Sequence, residues 1–248
     1  MTRHIPNLLT IANLFCGFFG IVAVFNGEMV LAGWMVIVAA IFDFLDGMAA
    51  RMLKAHSDLG AGLDSLADMV SFGVLPGMIM MVLMMRSHTM PLNDFFAGPV
   101  PVVSLLAFLI PAFSAVRLAK FNIDTRQNVN FIGLPTPANA LFFAALPLIL
   151  RYDIVMIGMD TFYLSPLILN PWFLILTTLI FSYLLISPLT LFSLKMKHFG
   201  WKGNEVRYIF LIVSLALFIA LLFTAIPIII IFYIVLSMLM KKQIAHEV

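Results

Sequence analysis

Apolar runs recur along almost the whole chain, most of them long enough to cross a hydrocarbon core of about 30 Å. They fall near residues 7–25, 29–53, 61–86, 99–121, 136–150, 171–194, 207–224 and 226–241, each closed by a short polar or Gly/Pro stretch. The fifth is short, and only "TAIP" separates the last two, so six or seven spans fit the pattern as well as eight. Backbone groups in lipid must find partners within their own segment, so the runs are read as helices. Nothing alternates as a barrel strand does. The pattern predicts an all-α, polytopic transmembrane helix bundle of about eight spans, making one transmembrane domain over residues 1–248.

Composition agrees. The chain is 63% hydrophobic and 10% charged with a mean hydropathy of +1.10, far below the roughly 25% charged residues of a soluble domain. The lone cysteine, Cys16, excludes an intrachain disulfide. A net charge of +2 says little by itself, and no nucleic-acid partner is expected. The first twenty residues have the character of a signal peptide, but no small-x-small cleavage site follows, so an uncleaved first span is expected. Eight spans with the N-terminus inside put twelve of the fourteen Lys and Arg on one side, leaving Arg86 and Arg151 on the other. That bias sets the N-terminus in the cytoplasm.

One stretch breaks the apolar pattern. Residues 43–68 read "DFLDGMAARMLKAHSDLGAGLDSLAD", with five aspartates between two spanning runs. Asp43, Asp46, Gly47 and Ala50 fall at i, i+3, i+4 and i+7, one helical face, with Arg51 a position beyond, while Phe44, Leu45 and Met48 point elsewhere. On the next span Gly60, Asp64 and Asp68 recur every four residues, and Ser71 extends the stripe. The short link makes the two helices antiparallel neighbours, so the stripes face each other at the cytoplasmic end. An aspartate at a span centre costs about 2.5–3.5 kcal/mol, less near the interface. Four facing one another repel, and Arg51 alone cannot neutralise them. Hard divalent cations, Mg²⁺ or Mn²⁺, bind carboxylate oxygens and leave positions open for phosphate. Gly47 and Gly60 leave room for a bulky group beside the backbone, and the planar fork of Arg51 suits a diphosphate. Asp58, off the stripe, is read as an N-cap or a solvated charge.

Written out, Asp43-x2-Asp46-Gly47-x2-Ala50-Arg51-x8-Gly60-x3-Asp64-x3-Asp68 resembles the complete signature of the CDP-alcohol phosphotransferase family. Further stretches, "IPNLLTIANLFCGFFGI", "DSLADMVSFGVLPG", "AVRLAKFN" and "FIGLPTPANA", are similar to its integral membrane phosphatidylserine synthase branch and cover most of residues 5–145. The resemblance implies a six-helix catalytic core in that region, with residues 171–241 as additional helices. It implies transfer of the phosphatidyl group from CDP-diacylglycerol to the hydroxyl of L-serine, with release of CMP, in a prokaryotic plasma membrane. It also implies two divalent metals on Asp43, Asp46, Asp64 and Asp68, with Asp68 as general base, and a homodimer. Asp46, Gly47, Ala50, Arg51 and Gly60 would form the CDP-lipid pocket.

A zwitterionic acceptor calls for a cationic partner. Arg117, Lys120 and Asn122, at the cytoplasmic end of the fourth span, are the candidates; the alternative is that they obey the positive-inside rule and cap a helix C-terminus. Asn7 and Asn13 on the first span either reach the headgroup site or serve as an N-cap and an interhelical hydrogen bond. His4, His56, His88, His198 and His246 lie off the stripes, so a covalent route through histidine is not expected. "GLPTPANA" reads as a turn at the rim of the site. Lys195, Lys197 and Lys202 are read as headgroup and topology determinants. Two readings compete: another alcohol acceptor (choline, inositol or glycerol 3-phosphate), or an ion pathway in a transporter, the default for intramembrane aspartates.

Overall fold

The computed structural model describes residues 4–55, 57–87, 102–123, 131–152, 155–157, 160–192, 200–201 and 204–240. Among them α1 (Ile5–Phe25) and α2 (Met29–Met52) are followed by α3 (Asp58–Asp68), which runs through a wide turn at Met69–Val74 into α4 (Leu75–Arg86). A 3₁₀ segment, Val102–Phe108, leads into α5 (Leu109–Ile123), and then come α6 (Thr136–Tyr152), the short α7 (Ser165–Ile168), α8 (Pro171–Ile186), α9 (Glu205–Leu221) and α10 (Ala225–Leu239). Two small antiparallel strand pairs tie connections together: β1 (Phe131–Ile132) with β4 (Thr190–Leu191), and β2 (Val155–Ile157) with β3 (Asp160–Phe162).

Five helical runs, Ile5–Phe25, Met29–Met52, Asp58–Arg86, Val102–Ile123 and Glu205–Leu239, are long and apolar enough to cross a membrane. The chain is an integral membrane protein, an all-α bundle. The last run is not one rod. At Leu222 the backbone turns to φ 47°, ψ −121°, and the Phe210 ring lies 5.8 Å from Phe232 and 5.7 Å from Tyr233. A straight helix would hold residues 210 and 232 about 33 Å apart, so α9 and α10 form a hairpin. The reversal sits at Leu222–Thr224, running into the expected "TAIP" at Thr224, and Pro227 falls inside the first turn of α10, where its missing N–H is tolerated. The sixth run also ends early, at Ile186 rather than 194. Pro188 disfavours helical backbone at Ser187, and the chain turns into β4 instead.

The centre of the bundle is α6. Every residue from Phe142 to Ile149 is buried, against α2, α4 and α10. Phe142 stacks on Phe181 of α8 at 3.9 Å. Between helices in lipid the attraction is close packing rather than expulsion of water, so small residues set the approach. Gly33 of α2 is one: a Cβ there would come within 2.7 Å of the Ala144 carbonyl oxygen of α6.

The turn Met69–Val74 has i→i+5 character. Pro76 explains it, because proline cannot donate to the carbonyl four residues back and its ring would clash there. The inserted residue rotates the helix so that Asp68 above the turn and the fully buried Leu75, Ile79 and Leu83 below it all face inward. Ser57, not Asp58, caps α3, its Oγ accepting from Gly60 N at 3.1 Å; Asp58 is the exposed, solvated charge of the first turn. The "GLPTP" segment bends at Gly133 with φ +76°, where a Cβ would strike the Leu185 carbonyl oxygen at 2.5 Å. Its backbone is bonded to the end of α8, Gly133 N to Leu189 O at 2.8 Å and Leu134 N to Leu184 O at 2.9 Å.

Replacing Gly33 by alanine forces α2 off α6 and is expected to lower stability by about 1–3 kcal/mol, read as a lower unfolding midpoint in detergent. Gly47→Ala, whose Cβ meets nothing within 4 Å, is expected to hold or raise it.

Candidate active site

The buried positions of α1 include Pro6, Thr10, Asn13, Gly17 and Gly20, with Ala23 and Val24 beyond them. Steps of four and three residues keep them on one helical face, and this face meets both aspartate-bearing helices. Thr10 Oγ1 donates to Asp46 Oδ2 at 2.7 Å. Asn13 Nδ2 donates to Asp68 Oδ1 at 3.1 Å. Ser71 Oγ donates to the Asn13 carbonyl at 2.9 Å, and Gly17 allows that contact, since a Cβ there would lie 2.5 Å from the same hydroxyl. The first span is thus the clamp that fixes Asp46 and Asp68.

Across from it, Asp43, Asp64 and Asp68 each offer a carboxylate oxygen, and the three oxygens lie within 4.8 Å of one another. Asp46 and Asp68 are buried; Asp43 and Asp64 are half-buried. At such separations each ionised pair repels by about 3 kcal/mol at an effective dielectric near 20. The hydrogen bonds reaching Asp46 and Asp68 from α1 come from neutral side chains, which orient the carboxylates without cancelling their charge. Asp64 Oδ1 is buried without a hydrogen-bond partner. Converging hard oxygens with unmet lone pairs fit a divalent cation of the Mg²⁺, Mn²⁺ or Ca²⁺ type.

The remaining sequence candidates separate. Gly47 is exposed, with open space where a Cβ would stand, while Ala50 is half-buried and Arg51 exposed in the last turn of α2. Gly60 is not open. Its Cβ position lies 3.1 Å from Ser57 Oγ and 3.2 Å from Asn7 Oδ1, so the room expected there is already taken, and Asn7 serves the joint between α1 and α3. Arg117 is buried and donates to the Ile132 carbonyl at 2.8 Å. Asn122 pairs with Ser65 on α3, next to Asp64, at 2.9 and 3.2 Å. Lys120 is exposed, as is His4. Arg3, His56, His88, Arg126, Lys195, Lys197, His198, Lys202, Lys241, Lys242 and His246 lie outside the described residues. Thr10 and Ser65 escaped the sequence reading. The signal for Thr10 was present: Asn7, Thr10 and Asn13 recur every three residues in an otherwise apolar helix.

These features define a polytopic membrane protein with an acidic cluster on its first three spans whose converging oxygens could hold a cation. The family model for CDP-alcohol phosphatidyltransferases matches residues 3–220. The chain belongs to that family. It is 34% identical over 171 residues to a Bacillus subtilis protein named CDP-diacylglycerol–serine O-phosphatidyltransferase, covering 68% of this chain and 88% of that one. A Helicobacter pylori protein of the same name is 37% identical over 138 residues, 55% of this chain and 54% of the relative. An archaetidylserine synthase from Methanothermobacter thermautotrophicus is 31% identical over 140 residues, again 55% of this chain and 54% of the relative. The chain therefore spans about half the length of the last two.

Removing the clamp while keeping its shape should weaken cation binding. Thr10→Val and Asn13→Leu are each expected to raise the Mn²⁺ concentration for half-maximal thermal stabilisation by about ten- to a hundredfold, as losses of ligand-orienting hydrogen bonds do. Unfolding scans in graded Mn²⁺ measure this.

Proposed function

We propose that this protein transfers the phosphatidyl group of CDP-diacylglycerol to the hydroxyl of L-serine, forming phosphatidylserine and CMP. The observation that carries the reading is the convergence of the Asp43, Asp64 and Asp68 oxygens beside the clamped Asp46. The serine assignment draws on relatives named for serine as acceptor. In this reading Asp43, Asp46, Asp64 and Asp68 are ligands for two Mg²⁺ or Mn²⁺ ions. When bound, the ions polarise the diphosphate and neutralise charge on departing CMP. Asp68 takes the proton of the serine hydroxyl while Asn13 orients its carboxylate. The hydroxyl oxygen then forms the new bond to phosphorus as the bond to the CMP oxygen breaks, in one displacement.

Gly47 and Ala50 leave the nucleotide's approach to α2 unobstructed, and Arg51 supplies a cation for the diphosphate. Gly60, by admitting Asn7, fixes α3 against α1. Arg117 meets the serine carboxylate with the guanidinium donors that Ile132 leaves unused, and Asn122 steadies α3 through Ser65. Lys120 draws anionic headgroups to the rim. Residues 5–145 form the catalytic core and 171–241 the additional helices of a single domain. The protein works as a homodimer in a prokaryotic plasma membrane, its site and N-terminus facing the cytoplasm.

The test is CMP release by purified protein from CDP-diacylglycerol with Mn²⁺, across a panel of alcohols. Release that requires serine, and that falls by about a hundredfold or more in Asp68→Asn, is the expected outcome. Release with another alcohol alone would remove serine as the acceptor. No release with any acceptor from folded protein, together with ion flux in vesicles, would favour the transporter.

A further inference from the structure

Below the aspartates lies a second set of polar groups that the reaction as described does not use. Asn139 of α6 is fully buried, and neither its amide nitrogen nor its oxygen has a hydrogen-bond partner. Ser114 of α5 is fully buried, and its hydroxyl is likewise unmet. Asn13 Oδ1 is the third unmet group, on the residue whose Nδ2 holds Asp68. An amide without partners in apolar surroundings costs several kcal/mol, so three such groups in a membrane bundle call for a polar guest.

Ser114 and Asn13 flank the wide turn that follows Asp68, and α6, which carries Asn139, packs against the same turn. Ser114 Cβ lies 3.3 Å from the Cβ position of Gly73 in that turn, and the Asn13 carbonyl accepts from Ser71 in it. The depth agrees. Gly33 of α2 meets Ala144 of α6. Arg86, which bonds the Gly27 carbonyl, lines one cavity with Leu150, so the end of α6 lies beside the start of α2 and the two helices are antiparallel. Five residues back along α6 then set Asn139 level with Val38, about 7 Å below Asp43.

We propose that Asn139 and Ser114, with the free Oδ1 of Asn13, bind the ammonium and carboxylate of a zwitterionic α-amino acid acceptor beneath Asp68; this rests on the serine reading above. The ammonium donates to the two amide oxygens. The carboxylate, set against Arg117 in that reading, also accepts from Asn139 Nδ2 and from Ser114 Oγ, one helical turn from Arg117. A zwitterion brings no net charge into the bundle. An alcohol lacking either group leaves buried partners unmet, which makes for steep discrimination.

CMP release by the full-length protein, with CDP-diacylglycerol, Mn²⁺ and either L-serine or ethanolamine, tests this in wild type, Ser114→Ala and Asn139→Leu. The variants are expected to raise the KM for serine about tenfold, as loss of a hydrogen bond to a charged group does, with the KM for CDP-diacylglycerol within about twofold. Asn139→Leu should also narrow the preference for serine over ethanolamine. An unchanged serine KM in folded protein overturns the proposal, as does a parallel rise in both KM values. Should Asn139→Leu not fold, Ser114→Ala decides by the same criterion. Failure of the underlying reading looks different: the wild type itself releases no CMP in response to serine.

Discussion

Like charges crowded into a membrane bundle set the terms for the rest of this molecule. Asp43, Asp64 and Asp68 bring carboxylate oxygens within 4.8 Å of one another, where neither water nor a lysine or arginine offsets them cheaply. A divalent cation would offset the repulsion, and without one the surrounding helices must hold the carboxylates together. Much of the local structure answers that second need. Thr10 and Asn13 hold two of the carboxylates from a third helix, Ser71 ties that helix to the turn after Asp68, and Gly17 permits the contact. The wide turn above Pro76 rotates the aspartate stripe and the apolar stripe below it toward the same interior.

The rest of the bundle is a wall behind this site. α6, buried from Phe142 to Ile149, backs α2 through Gly33 and meets α8 through stacked phenylalanines. The segment ahead of it is bonded to the end of α8 and takes one N–H of Arg117. That arrangement makes the sharp turn at Gly133 a joint between α5, α6 and α8. It fixes the start of α6 against the end of α8. The α9–α10 hairpin adds aromatic packing around Phe210 and Tyr233.

What could be read from the chain depended on how locally each feature is encoded. The two aspartate stripes follow from helical periodicity within single segments, and the short link made them neighbours, so the cluster was legible before any coordinates. The spans were legible too, because length and hydropathy are local sums. Thr10 facing Asp46 was not, since the partners lie 36 positions apart and a threonine in an apolar helix has no single meaning. The surroundings of Gly60 were hidden for a related reason: Asn7 Oδ1, from another helix, lies 3.2 Å from where its Cβ would stand. The early end of α8 was marked by Ser187-Pro188, a signal present but outweighed by the apolar run beyond it. The reversal between α9 and α10 was marked by "TAIP" to within two residues, but not its placement at Leu222, because leucine is a poor residue for positive φ.

The central claim is that the four aspartates form a divalent-cation site, and Mn²⁺ binding followed by electron paramagnetic resonance tests it most directly. Purified protein titrated with Mn²⁺ is predicted to bind the ion saturably, and an Asp43→Asn, Asp64→Asn double variant of unchanged fold is predicted to lose that binding. Wild-type protein, folded and membrane-extracted intact, that leaves all added Mn²⁺ free in solution would contradict the account.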